Sequence, residues 1–141
     1  MNTGCIELRF PADARYLVLA RLSLSGVAQT AGLDPETLAD LKLAITEACS
    51  NAVRHAYGSD GGGDITLRID LQTDRLSVEV VDHGGGFDPT TVDEWQAAAL
   101  QEHGMGLSII RSVTDNLEVE SGADGIGTSV RFTKQLDHAL R

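Results

Sequence analysis

Five segments of the chain are predicted to be strands because apolar and polar residues alternate or because β-formers cluster between turns. In the first segment, Ile6, Leu8 and Phe10 alternate with charged residues, and a proline ends the strand. A hairpin turn at Asp74-Arg75 is expected to join the second and third. The predicted strands are Gly4 to Pro11, Ile65 to Leu71, Leu76 to Asp82, Leu117 to Glu120 and Ser129 to Phe132.

Apolar residues spaced three and four apart predict helices between these strands. One helix should run from Asp13 to Ala31, with Gly32 as its end. Asp34-Pro35-Glu36 has the composition of a helix start, and that helix should continue to about Tyr57. A third is expected over 104–113, behind a glycine pair, and 92–100 is weakly helical. The order of elements predicts an α+β fold, in one domain spanning 1–141.

Composition narrows the class of protein. At 141 residues and 42% hydrophobic residues, the chain fits one globular domain, and no apolar run approaches the roughly 20 residues of a membrane span. The start of the chain lacks the pattern of a secretory signal, so we expect a cytoplasmic protein. The net charge of -10 argues against a nucleic-acid partner and suits a basic protein partner. Cys5 and Cys49 form neither a disulfide framework nor a metal-ligand spacing, and we expect Cys49 to be a buried thiol.

Three polar residues of the second helix, Glu47, Asn51 and His55, are four apart and therefore share one helix face. The carboxylate is a candidate base, and the amide oxygen of Asn51 is a hard ligand suited to magnesium. The alternative is an exposed, solvated helix face. Asn51 counts against that alternative, because asparagine in mid-helix usually needs a side-chain partner.

Glycine turns follow at three places. Asp82-His83-Gly84-Gly85-Gly86-Phe87 ends a strand, where a carboxylate could accept a hydrogen bond from an exocyclic amine such as adenine N6. Gly104-Met105-Gly106-Leu107 precedes a helix whose N-H groups could hold a phosphate. Gly125-Ile126-Gly127-Thr128 lies between two strands. Each of these segments alone is equally explained as an ordinary turn.

In this order and spacing the segments resemble the motifs of the GHKL ATPase superfamily across nearly the whole chain. The 47–55 helix is similar to its N box, and the three glycine turns are similar to its G1, G2 and G3 elements. The resemblance implies a two-layer sandwich with a mixed sheet covered on one face by helices, binding ATP and Mg²⁺. It implies that Glu47 is the catalytic base, that Asn51 ligates magnesium and that Asp82 contacts adenine. The nucleotide-binding residues it implies are Asn51, Arg54, His55, Asp82, Gly84, Gly86, Phe87, Gly104, Met105, Gly106, Leu107 and Thr128.

Within that superfamily the chain is most similar to the anti-sigma factor serine kinases of bacterial partner-switching systems. The domain stands alone, and the segment between Asp88 and His103 is short. This resemblance implies phosphorylation of a serine in a STAS-domain anti-anti-sigma factor and sequestration of a sigma factor. A homodimer through the first strand and the Asp13 to Ala31 helix is a further expectation from the family, with no direct nucleic-acid or membrane partner.

Three alternatives stay open at this point. A sensor histidine kinase would need a phosphoacceptor histidine on a helix that precedes the ATP-binding segments, and His55 is the first histidine of this chain. A non-catalytic module could bind ATP only to control capture of a partner. A third alternative is a kinase that modifies a STAS protein and does not bind a sigma factor.

Overall fold

A five-stranded sheet with helices on one face forms the described part of the chain. The computed structural model describes residues 3–56, 63–83, 106–121 and 127–136, and for His55, Ala56 and Ser121 only the backbone. The strands are β1 (Gly4–Pro11), β2 (Asp64–Leu71), β3 (Arg75–Asp82), β4 (Asn116–Ser121) and β5 (Thr128–Gln135). The α-helices are α1 (Leu17–Ala31), α2 (Pro35–Ala56) and α3 (Gly106–Val113). The α+β prediction is therefore confirmed.

The predicted start of the first helix differs from the structure. Asp13 accepts a hydrogen bond on its side chain from the Arg15 N-H (2.9 Å) and on its carbonyl from the Tyr16 N-H (2.9 Å). These short-range bonds close a 3₁₀ turn, Ala14–Tyr16, before α1 begins at Leu17. The predicted end is confirmed, because Gly32 follows the helix with φ of 69°.

α2 begins as predicted from its sequence. The Asp34 carboxylate accepts a hydrogen bond from the Thr37 N-H at 2.6 Å, which satisfies one of the free amides at the helix start. The same bond lowers the pKa of Asp34 below its usual value. The helix is described as far as Ala56, and its expected end near Tyr57 lies outside the described residues.

The sheet has the order β1-β2-β3-β5-β4, and each neighbouring pair among the described strands is antiparallel. The expectation of a mixed sheet was therefore wrong. β4 does run in the same direction as β3, since Asn116 and Ser77 both oppose Thr133, and Ser121 and Asp82 both oppose Thr128. β5 lies between these two strands and pairs with each of them, so they form no parallel ladder.

The helices cover the sheet face that carries the apolar side chains. Phe10, Ile65, Leu67, Val80 and Phe132 are among the residues buried there, together with Leu24, Leu41 and Ile45 from the helices. The other face is polar. One row across all five strands alternates in charge, in the order Glu7, Arg68, Glu79, Arg131 and Glu118.

The hairpin between β2 and β3 turns one residue earlier than predicted. Gln72 N-H donates to the Arg75 carbonyl at 2.8 Å, so Arg75 already belongs to β3 and the turn is centred on Thr73 and Asp74. The weakly helical 92–100 segment lies outside the described residues. No helix in the described ranges is long and apolar enough to cross a membrane.

Candidate nucleotide site

Asn51 is buried, with only 6% of its surface exposed, although it is polar and lies in the third quarter of α2. Its neighbours Ala48, Cys49 and Ala52 are part of the apolar core, whereas Glu47 is half-buried. The alternative of a solvated helix face therefore does not hold for Asn51. A buried amide needs hydrogen-bond partners. The groups that contact the Asn51 amide therefore belong to the same candidate site.

The start of α3 lies directly against the Asn51 amide. A Cβ atom placed on Gly106 would be 2.8 Å from Asn51 Nδ2 and 3.2 Å from Oδ1. The absence of a side chain at Gly106 is what lets the two helices approach so closely. This contact brings together two predicted site elements that are 55 positions apart in the chain, the polar face of α2 and the N-terminal end of α3.

Arg54 supplies a second contact of the Asn51 amide within the described part of the chain. Its Nη2 donates a hydrogen bond to Asn51 Oδ1 at 3.0 Å, and the Arg54 side chain is otherwise exposed. The same oxygen is the predicted magnesium ligand. The family resemblance predicts that Arg54 binds the nucleotide, and the structure adds that its side chain binds the amide of Asn51, three residues earlier.

Asp82 and Thr128 meet at the end of the sheet. They are paired across β3 and β5, and both are buried, with 5% and 8% of their surfaces exposed. Both lie on the sheet face that the helices cover, as the alternation with Val80 and Val130 requires. Asp82 is therefore a buried carboxylate at the end of a central strand, as the sequence predicted.

Gly127 is needed where β5 begins. Its φ is +80°, and a Cβ atom there would be 2.6 Å from the Asp82 carbonyl oxygen. Glycine thus allows the chain to enter β5 directly beside Asp82. A hairpin turn alone would explain this glycine from the sequence, but the contact with β3 is visible only in the fold.

His83 and Cys49 are two further residues near the candidate site. His83 follows Asp82 and its Nε2 lies 3.1 Å from Thr66 Oγ1 on β2, at an exposed position. Cys49 is fully buried as expected, and burial raises the pKa of its thiol to about 12. The thiol therefore stays protonated at neutral pH and is a core residue.

The structure brings together some of the predicted nucleotide-binding residues and leaves others undescribed. Leu107 is 4% exposed and packs in the core, so only its backbone can face a ligand. His55 lies in α2, but its side chain is not among the described atoms. The predicted residues Gly84, Gly86, Phe87, Gly104 and Met105 lie outside the described ranges.

The chemistry of Asn51 fits magnesium. An amide oxygen is a hard donor, and Mg²⁺ commonly takes one or two protein oxygens and completes its octahedron with phosphates and water. Among the described residues, Asn51 Oδ1 is held by the exposed Arg54 side chain, which can release it to a cation. The start of α3, where phosphates bind favourably, is in contact with the same amide.

Comparison with known proteins shows the family of the chain. Residues 10–134 match the family model of the histidine kinase-like ATPase domain. Curated relatives named serine-protein kinase RsbW include one from Bacillus velezensis, 37% identical, covering 94% of this chain and 86% of the relative. Another, from Bacillus pumilus, is 39% identical with the same coverage, and one from Listeria innocua is 36% identical over 94% and 87%.

Solved structures share the fold. The RsbU and RsbW domains of a Mycobacterium tuberculosis protein match with a TM-score of 0.70 at 24% identity, over 95% of this chain and 33% of that one. A mycobacterial sensor histidine kinase, MprB, matches with a TM-score of 0.57 at 15% identity, over 93% and 98%. The chain is therefore a member of the histidine kinase-like ATPase family, the GHKL superfamily of the sequence analysis, and within it an ATP-using protein serine kinase.

Proposed function

We propose that this kinase transfers the γ-phosphoryl group of magnesium-bound ATP to a serine of a STAS-domain anti-anti-sigma factor, and that it alternately sequesters a sigma factor. The observation that carries the proposal is the packing of the buried Asn51 amide against Gly106. It joins the polar face of α2 to the helix start that would hold phosphates. Relatives named serine-protein kinase support the acceptor class.

Glu47 is the proposed base. It lies one helical turn before Asn51 on the same face of α2, and it is half-buried, so its carboxylate is open to an entering hydroxyl. In the transfer, the serine Oγ forms a bond to the γ-phosphorus as the bond to the β-γ bridging oxygen breaks. The hydroxyl proton moves to the Glu47 carboxylate, and ADP leaves with the bridging oxygen.

The phosphate end of the site is assigned to α3 and α2. The first N-H groups of α3 have no partner within the helix, and the helix dipole favours negative charge there. Asn51 would hold magnesium against the phosphates, and the metal would neutralise the charge that develops during transfer. Arg54 is close enough to Asn51 to reach a phosphate as well.

The adenine end is assigned to the end of the central strands. The buried carboxylate of Asp82 is suited to accept a hydrogen bond from the exocyclic N6 amine, with Thr128 opposite it on β5. The glycines of 84–86 and 104 and the side chains of His55, Phe87 and Met105 remain assigned to the nucleotide by resemblance alone. The same proposal treats 1–141 as one ATP-binding serine kinase domain and places it in the cytoplasm, where sigma factors act.

A homodimer through β1 and α1 belongs to the same proposal. Among the described strands β1 lies at the edge of the sheet, and Ile6 on it is 44% exposed. On α1, Val18, Leu19 and Leu22 are 45%, 42% and 61% exposed. An apolar groove of about 430 Å³ lies between the two elements. Exposed apolar side chains beside a free strand edge are typical of an interface.

The dimer is tested by sedimentation velocity of Leu22→Glu against Leu43→Glu. Leu43 is similarly apolar and 43% exposed, but it lies on α2. We expect Leu22→Glu to be monomeric at concentrations where the wild type and Leu43→Glu are dimers. Equal masses for all three proteins would contradict this interface.

The kinase proposal is tested with the purified protein, magnesium, labelled ATP and the STAS and sigma proteins encoded beside it. We expect phosphoserine on the STAS protein, and Glu47→Gln should lower the transfer rate by roughly 10²-fold to 10⁴-fold with little change in ATP affinity. Glu118→Gln is the matched control, since Glu118 is exposed on the polar face of the sheet.

Each alternative gives a different result. Sigma capture that depends on ATP without phosphoserine would indicate a sequestering module. Phosphoserine without sigma capture would indicate a kinase that acts on the STAS protein alone. Acid-labile phosphate on a histidine of this chain would indicate a histidine kinase.

A further inference from the structure

Asn51 Oδ1 has two uses that conflict. In the structure it accepts a hydrogen bond from Arg54 Nη2 at 3.0 Å. In the proposed function, on which this inference rests, the same oxygen ligates magnesium. A guanidinium and a divalent cation repel each other, and Mg²⁺ demands a near-ideal octahedron about itself. The Arg54 guanidinium and Mg²⁺ therefore cannot both bind the same amide oxygen without weakening each other's binding.

We propose that Arg54 competes with magnesium for Asn51 Oδ1 and that nucleotide phosphates relieve the competition by drawing Arg54 away. Arg54 is thus a positioning residue that couples metal binding to nucleotide binding. Without nucleotide it holds the buried amide in place and keeps cations off it. With nucleotide, the guanidinium exchanges one amide oxygen for phosphate oxygens, which bind it more strongly.

The surroundings of the two side chains favour this exchange. Asn51 is buried and its Nδ2 side is confined by Gly106, so the amide itself has little room to turn. Arg54 lies at the exposed end of the contact and is free to change rotamer. The moving part is therefore Arg54, and the fixed part is the metal ligand.

The exchange also accounts for the type of residue at position 54. Lysine would carry the charge but not the planar fork of donors that can hold an amide oxygen and then a phosphate. A neutral side chain would leave Asn51 Oδ1 open to cations at all times. We therefore expect the metal dependence of nucleotide binding, and not only its strength, to change with this residue.

The test measures the dissociation constant of a fluorescent ATP analogue with magnesium and with EDTA, and takes the ratio as the magnesium enhancement. The variants are Arg54→Met, Arg54→Lys and the matched control Arg111→Met, an exposed arginine on α3. We expect Arg54→Met to weaken binding in EDTA and to raise the enhancement at least about five-fold, a coupling of ordinary size. Arg54→Lys should fall between, and Arg111→Met should match the wild type.

A second pair of variants, Asn51→Ala with and without Arg54→Met, tests whether Arg54 changes the magnesium enhancement through Asn51. The enhancement should be lost in Asn51→Ala, and adding Arg54→Met to that variant should then leave the enhancement unchanged. If Arg54→Met weakens binding equally with magnesium and with EDTA, Arg54 is a simple phosphate contact and the competition is wrong. If the wild type does not bind the analogue, or binds it without magnesium dependence, the proposed nucleotide site itself fails. Circular dichroism of each variant confirms that it is folded.

Discussion

Gly106→Ala directly probes the contact that builds the site. Gly106 is not in the left-handed region, so its backbone accepts alanine. The added Cβ would nevertheless lie 2.8 Å from Asn51 Nδ2 and 3.4 Å from its Cγ. Real Cβ contacts are not that short, so either the Asn51 amide or the start of α3 must move.

The expected cost is modest for the fold and large for the site. Overpacking a buried position costs about 1 to 3 kcal/mol, and replacing glycine by alanine in a helix returns up to about 1 kcal/mol. The net loss of stability should therefore be about 0 to 3 kcal/mol. Because Mg²⁺ tolerates little displacement of a ligand, magnesium-dependent ATP affinity should fall at least about ten-fold, or about 1.4 kcal/mol.

Two measurements separate these effects. Urea unfolding gives the stability, and titration with a fluorescent ATP analogue in magnesium and in EDTA gives the affinity. Gly26→Ala is the matched control, because nothing lies within 4 Å of a Cβ added in the middle of α1. It should be stabilised by about 0.5 to 1 kcal/mol and bind the analogue as the wild type does.

A folded Gly106→Ala protein with unchanged magnesium-dependent affinity would refute the reasoning. It would mean that the position of the Asn51 amide does not matter to the metal. Loss of affinity in EDTA and in magnesium alike would point instead to the amides at the start of α3.

Three further results are expected. Gly127→Ala should lower the free energy of unfolding by at least about 2 kcal/mol in urea, because its φ is +80° and its Cβ would meet the Asp82 carbonyl at 2.6 Å. Lys134→Met should lower it by about 1 to 2 kcal/mol, since Lys134 bonds Asp40 (3.5 Å) and the last carbonyl of α3 (3.1 Å). Burial raises the pKa of Cys49 from 9.0 to about 12, so relative to Cys49→Ala the wild type should lose up to about 1.4 kcal/mol per pH unit only above pH 9.

The sign of the pH effect follows from which state binds the proton. Below pH 9 the thiol is protonated in both the folded and the unfolded chain, so pH has no effect through this group. Above it the unfolded chain loses the proton first, which stabilises the unfolded state. A wild type and a Cys49→Ala protein with parallel stability curves up to pH 11 would contradict this. Gly4→Ala is the control for Gly127→Ala, and Lys42→Met is the control for Lys134→Met.

The sequence was sufficient to predict the elements because their cues are local. Alternation in Ile65 to Leu71, the cap at Asp34 and the glycine at 32 each depend on neighbours a few positions away. The pairing of β5 with β3 joins residues about fifty positions apart, and no local pattern encodes it. The mixed sheet was expected from the family resemblance, and it is absent from the described strands because β5 lies between the co-directional β3 and β4.

The site also combines features that local spacing predicts with contacts that depend on the tertiary fold. Spacing of four placed Glu47 and Asn51 on one face of α2, and glycines before a helix marked the start of α3. Spacing could not show that the Asn51 amide fills the space at Gly106, nor that Arg54 takes its oxygen, because both depend on how side chains meet after folding.

Because β5 lies between β3 and β4, the proposed nucleotide site can be completed only late in synthesis of the domain. Asp82 emerges from a ribosome long before Thr128, yet the two are neighbours only after the last strand has entered between β3 and β4. Until then β3 lacks its β5 neighbour, and only β3 lines the adenine end of the proposed site. A nascent chain should therefore gain affinity for nucleotide only after residue 135, the end of β5, has left the ribosome.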